Sequence, residues 1–203
     1  MFDFDIEAVK GFLDPAEGEA LYRYGLESCT SLPALEVGSY CGKSTCYLGT
    51  ACRENGAVLF AVDHHRGSEE HQLGEEYHDP DLYDGDIELM DTFRTFRRTM
   101  ALANLEETVV PLVATSALAA KQWHTPLGMV FIDGGHSLEA AMTDYRSWVT
   151  HIAPGGILAI HDIFPDPADG GQAPYDIYKL ADASGLFEKL PMVKTLGLFR
   201  RKA

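Results

Sequence analysis

Residues 5–28 predict two short helices broken near Asp14-Pro15, where Asp14 can cap and proline suits the first turn. From residue 34 the pattern changes to short apolar runs alternating with helical segments. Ala34 to Val37 predicts a strand ending at Gly38, and Lys43 to Arg53 a helix closed by Asn55-Gly56. Ala57 to Val62 is a continuous apolar run ending at Asp63, as expected of a strand buried on both faces. Periodicity then vanishes for about 25 residues, a length that is usually functional or disordered inside a compact domain.

The alternation resumes with a helix capped by Asp91 and running to about Leu102. A strand at 109–113, a helix at 116–122, a strand at 129–132 and an amphipathic helix at 137–150 follow. Pro154-Gly155-Gly156 turns into the strand Ile157 to Ile160. A loop at 165–174 precedes a helix at 175–184, with closing strands near 187–190 and 195–200. Repeated strand–helix–strand units with non-alternating strands predict a doubly wound α/β fold: a mostly parallel seven-stranded sheet, Rossmann-like, with helices on both faces. At 203 residues, a single domain is expected, with a helical cap over 1–30 and an insertion over 66–91. Ligands in such sheets sit at the carboxyl ends of the strands, where strand order reverses. The residues to read are therefore Glu36, Gly38, Asp63, Ser116, Asp133, His161 and Asp162.

Composition changes this picture in one place. Net charge is −15, yet ten acidic residues and no Lys or Arg lie between Gly67 and Phe93; setting them aside leaves 21 acids against 16 bases. The insertion is either a solvated loop or a lid whose aromatics (Tyr77, Tyr83), histidines (His71, His78) and acids meet a substrate, and its place after the second strand favours the lid. No basic stripe with interleaved aromatics is present, which argues against nucleic acid as a partner. No apolar run approaches the roughly 20 residues of a membrane span, and the acidic N-terminus does not read as a signal peptide, so cytoplasm is the expectation. Cys29, Cys41, Cys46 and Cys52 contain no C-x-x-C pair and read as buried thiols.

The loop Gly38-Ser39-Tyr40-Cys41-Gly42 joins the first strand to a helix and lets backbone N–H groups approach a ligand. Asp63, 25 residues after Gly38, can accept both hydroxyls of a ribose. Gly38 to Lys43-Ser44 is one residue too short for a phosphate-cradling P-loop, and Tyr40 breaks the dinucleotide fingerprint. A glycine pair alone also fits a tight turn; Glu36 beside it suits a cationic cofactor and disfavours an anionic one.

The segments E-V-G-S-Y-x-G-K-S-T, V-D, V-F-I-D-G-G-H and P-G-G-I-L-A-I-H-D, spread in order over residues 33–164, resemble the class I S-adenosylmethionine-dependent methyltransferases. More narrowly they resemble the metal-dependent sugar and macrolide O-methyltransferases and the cephalosporin-hydroxylase-like proteins. The stretch from Asp63 to Glu70 is also similar to the enzymes that cap methylmannose oligosaccharides. The expected cofactor contacts are Glu36, Gly38, Ser39, Gly42, Ser44, Asp63, His64, Ser116 and Asp133.

Methyl transfer to a hydroxyl needs an acceptor oxygen held in line with the sulfonium methyl, a base and, for a weakly acidic sugar hydroxyl, a cation that lowers its pKa. Two aspartates can hold a hard divalent ion, and His136, three residues beyond Asp133, is placed to act as base. The resemblance implies that Asp133 and the pair after the fifth strand, His161 and Asp162, bind Mg²⁺. The chain departs from the family at His161, where an imidazole favours Mn²⁺ or Fe²⁺. Asp133 could instead cap its loop or touch the cofactor amine, His136 could be a neighbour of a helix cap, and His161 a packing group. Ser116 reads equally as an adenine contact or as a helix N-cap. The expectation is an O-methyltransferase of a small hydroxylated molecule, a sugar or glycosylated metabolite, with Mg²⁺ or Mn²⁺ assistance. The alternatives are metal-independent transfer to a catechol, amine or acid, and a nucleotide-binding module without transfer; a homo-oligomer is left open.

Overall fold

The computed structural model describes residues 2–68, 74 and 78–203. A single 3-10 turn at Ile6–Ala8 precedes α1 (Pro15–Ser28), so the first of the two expected N-terminal helices is only one turn. The chain then runs β1 (Ala34–Val37), α2 (Lys43–Asn55), β2 (Leu59–Val62), β3 (Tyr83–Asp84), β4 (Leu89–Met90), α3 (Phe93–Leu102), β5 (Val109–Leu112) and α4 (Ser116–Ala119). It closes with β6 (Leu127–Ile132), α5 (Leu138–Trp148), β7 (Ile152–Ile160), α6 (Ala173–Ala183), β8 (Phe187–Val193) and β9 (Leu196–Arg201).

Among the described residues seven strands form one sheet in the order β5-β2-β1-β6-β7-β9-β8, all running one way except β9, which is antiparallel to both its neighbours. The expected seven-stranded, doubly wound α/β sheet is observed. Successive residues divide between its two faces. Leu35, Val130, Leu158 and Phe199 join one core with Trp148 of α5 and Ile177 of α6. Ala34, Phe131, Ala159 and Leu198 join the other with Leu21 of α1, Leu48 of α2 and Phe96 of α3. Period-two alternation thus feeds two apolar layers, and burying a side chain such as Phe131 contributes about 1.5–3 kcal/mol.

Register aligns the strand ends. Val37 pairs with both Val62 and Ile132, and Ile132 pairs with Ile160. The next residue on each strand, Gly38, Asp63, Asp133 and His161, therefore emerges along one edge, each still bonded through its N–H to the neighbouring strand. Strand order reverses at β1, between β2 and β6, at this edge.

The expected structureless insertion instead contains, in its described part, a 3-10 turn at Pro80–Leu82 and the β3–β4 hairpin. Leu82 and Met90 pack on Cys41 of the glycine loop, and Lys10 pairs with Asp79 and Asp81. Glu69, Glu70, His71, Glu75, Glu76 and Tyr77, part of the proposed lid, lie outside the described residues. Asp91 precedes rather than occupies the α3 cap position, which is Thr92; its Oδ1 accepts the Phe93 N–H at 3.0 Å. All four cysteines are free and buried. Among the described residues no helix is long and apolar enough to cross a membrane.

Candidate active site

A cavity of about 920 Å³ opens over the aligned strand ends. At its first corner Gly38 has φ +80°, and a Cβ there would lie 1.9 Å from the Asp133 carbonyl oxygen. Glycine is required on both counts, conformation and space. Gly42, at φ +94°, starts α2 and sits against Met100; it does not line the cavity. Asp63 holds the corner closed: its Oδ2 accepts the N–H groups of Ser39 and Tyr40, each at 2.9 Å, and its Oδ1 accepts the His65 N–H at 2.7 Å. Tyr40 and His65 are themselves in the left-handed region, at φ 45° and 57°, strain that this carboxylate helps to hold.

Glu36 is placed differently from its expected role as a cofactor contact. It is fully buried and does not line the cavity. Its two oxygens accept the hydroxyls of Ser44 and Thr45, each at 2.6 Å, tying β1 to the first turn of α2. Burial pushes its carboxyl up to about 8, against the pull of those hydroxyls. Ser44 lines the cavity, but its hydroxyl is spent on Glu36. Ser39, 2% exposed, lines it too, and its Oγ has no hydrogen-bond partner among the described residues.

Ser116 lines the cavity, and the N-cap of α4 is Thr115, which removes the capping role. Its Oγ accepts the Trp148 Nε1–H at 3.1 Å. Asp144 of α5, unforeseen from sequence, lies beside Ser116 and lines the cavity; its Oδ2 occupies the space where a Cβ on Gly134 would be, at 2.3 Å. Burial raises its carboxyl to about 6. A signal was present: Ala141, Asp144, Tyr145 and Trp148 follow i, i+3, i+4, i+7 spacing, a carboxylate in the buried stripe of a helix. His64 is exposed at the rim, its Nδ1 accepting the Arg66 N–H at 3.1 Å.

The chemical centre gathers Asp133, His136, His161 and Asp162 on the loops after β6 and β7. His136 Nε2 lies 3.1 Å from Asp162 Oδ2, and His161 Nδ1 lies 3.1 Å from Asp133 Oδ1 and 3.4 Å from Asp162 Oδ1. Asp162 adopts φ 58°, a strained backbone that these contacts hold. Burial opposes its charge, but hydrogen bonds from His136 and His161 outweigh it and hold its carboxyl well below the usual range. Burial likewise opposes a charged His161, and the surrounding carboxylates of Asp133, Asp162 and Glu17 overcome it, holding the imidazole far above its ordinary value. Glu17 was not foreseen: it reaches in from α1, with Oε2 2.9 Å from His161 Nε2. The sequence hid it as the N3 partner of the Asp14 capping box, a role it also fills.

Asp133, His161 and Asp162 each offer one ligand atom, and the three atoms lie within 4.8 Å of one another. With Nε2 engaged by Glu17, the imidazole has Nδ1 on the side of the two carboxylates. The proton that Nδ1 shares with those carboxylates is the one an ion bound there would displace. Two carboxylate oxygens and one nitrogen fit a divalent ion of the Mg²⁺ or Mn²⁺ type, with its remaining positions left to water or substrate oxygens.

A sheet of this order with a carboxylate-clamped glycine corner defines a class I methyltransferase fold. Residues 35–163, more than half of the chain, match the family model described as methyltransferase domain, and the chain belongs to that family. Solved structures share the fold. The cofactor-bound Rv0187 from MTB is 12% identical, with 97% of this chain and 84% of that chain covered and a TM-score of 0.68. An O-methyltransferase from Bacillus cereus in complex with SAH is 15% identical over 97% and 84%, at 0.64. The O-methyltransferase TomG from Streptomyces achromogenes, involved in tomaymycin synthesis and bound to SAM, is 13% identical over 95% and 82%, also at 0.64.

Proposed function

We propose that this chain transfers the methyl group of S-adenosylmethionine to a hydroxyl oxygen of a small molecule, a sugar or glycosylated metabolite, with a divalent ion assisting. The observation that carries the reading is the His136–Asp162 pair, at 3.1 Å, beside Asp133 in one cavity with the Gly38–Asp63 corner. The cofactor would lie over Gly38 and Ser39, with Asp63 accepting from its ribose and the Ser116–Asp144 side near its base. Glu36 acts from behind, as a strut for the corner. His136, oriented by Asp162, takes the hydroxyl proton as the oxygen attacks the methyl carbon; the carbon–sulfur bond breaks and its electron pair stays on sulfur. A divalent ion held by Asp133, His161 and Asp162 would lower the pKa of the acceptor hydroxyl.

An acceptor with several hydroxyls is supported by the lining of the cavity. Phe12, Tyr40 and Phe164 are aromatic residues of its lining, and Asp169 adds a carboxylate. The structural neighbours described as O-methyltransferases, some with SAM or SAH bound, add support for the reaction and the cofactor. The test is incubation with S-adenosylmethionine and panels of sugars, catechols and amines, with Mg²⁺ or with a chelator, followed by mass spectrometry. Methylated sugar formed only with the ion agrees with the proposal. Methylation confined to amines, or unaffected by the chelator, overturns the acceptor or the ion respectively.

A further inference from the structure

Glu17 and His161 are 144 residues apart in sequence, and they are 2% and 5% exposed. Glu17 receives two donors on each oxygen. Oε1 accepts the Thr195 N–H at 2.8 Å and its hydroxyl at 2.7 Å; Oε2 accepts His161 Nε2–H at 2.9 Å and the Asp14 N–H at 3.2 Å. A carboxylate has roughly four acceptor positions, so this one is full and cannot turn. Helix capping alone would need only the Asp14 contact, the longest of the four. The other three tie the carboxylate to the β8–β9 turn and to the catalytic edge of the sheet.

With Nε2 anchored in this way, His161 has one ring orientation available. Nδ1 faces Asp133 Oδ1 and Asp162 Oδ1; a flipped ring would set a carbon against Glu17 and leave a buried carboxylate short of a donor. We propose that Glu17, from the N-terminal helix and outside the segment matched by the family model, is a positioning residue that fixes His161 so that Nδ1 is presented to a divalent cation between Asp133 and Asp162. The inference rests on the ion reading above. Groups that orient a ligating histidine through its other nitrogen are worth about 10- to 100-fold in metal affinity.

The experiment titrates the full chain with Mn²⁺ alone, by calorimetry and by electron spin echo spectroscopy, which registers an imidazole nitrogen bound to the ion. Binding of S-adenosylhomocysteine is measured in parallel. Glu17→Gln is expected to weaken Mn²⁺ about 10- to 100-fold and to diminish the nitrogen signal, while S-adenosylhomocysteine affinity stays within about twofold. A folded Glu17→Gln protein that binds Mn²⁺ like the wild type overturns the inference alone. A wild type that binds S-adenosylhomocysteine but no Mn²⁺ overturns the ion reading and the inference with it. Should Glu17→Gln fail to fold, Thr195→Val loosens the same carboxylate without removing its charge. It should weaken Mn²⁺ about threefold or more, and unchanged affinity refutes the idea.

Discussion

Replacing Asp63 by asparagine separates charge from shape at the cofactor corner. The carboxylate accepts three backbone N–H groups, from Ser39, Tyr40 and His65, and so uses three of roughly four acceptor positions. The remaining one is available to a ribose hydroxyl. An asparagine oxygen can face the Ser39–Tyr40 pair or His65, and its NH₂ then opposes at least one N–H. A buried donor left unmatched costs about 1–3 kcal/mol, and in a chain of this size each kcal/mol shifts Tm by about 2–4 °C, so a fall of about 2–12 °C is expected. Losing the charge-assisted bond proposed to the ribose would remove about 1.5–3 kcal/mol of binding, or about 10- to 140-fold in Kd. Differential scanning fluorimetry reads the first effect, and calorimetry with S-adenosylhomocysteine, well below the unfolding transition, reads the second. Unchanged Tm and unchanged Kd together would refute the reasoning at its root. A lowered Tm with unchanged Kd would leave Asp63 as a clamp and remove the ribose contact.

His136→Ala should lower kcat by about 10²–10⁴ while S-adenosylhomocysteine binding stays near the wild-type value; near-normal turnover would show that another group takes the proton. Gly38→Ala forces a Cβ to 1.9 Å from the Asp133 carbonyl at a positive φ, and should cost about 2–4 kcal/mol in denaturant unfolding; a loss well under 1 kcal/mol would contradict the packing described. Glu36 has a folded-state pKa of about 8, above its ordinary 4.5, so folding favours its protonated form. Its contribution is complete below the unfolded pKa and is lost as pH rises through about 8, with each unit of difference worth about 1.4 kcal/mol. Glu36→Gln should therefore gain Tm relative to the wild type between pH 5 and 9, read from paired melts; parallel curves would mean that Glu36 does not titrate in this range.

Several features of the fold and site can be read directly from residues. Apolar runs such as Met129 to Ile132 cannot sit on a half-exposed strand, so they demand a sheet covered on both faces. In a parallel sheet the residues ending such runs share one edge, which is why Gly38, Asp63, Asp133 and His161 were legible together. Local chemistry was less secure where neighbouring positions compete: the α3 cap went to Thr92 rather than Asp91, and Ser116 came to serve Trp148.

What the chain pattern alone determined is the order of elements and the line of residues along the sheet edge, because both follow from hydrophobic periodicity over a few neighbours. Tertiary structure decided which way the polar side chains turned. Glu36 shares its face of β1 with Ala34 and meets Ser44 and Thr45 instead of the cavity, and Glu17 meets His161 only because α1 packs beside the ends of β7 and β9. A buried carboxylate goes where donors exist to satisfy it, and in a folded chain those donors are set by packing between segments far apart in sequence.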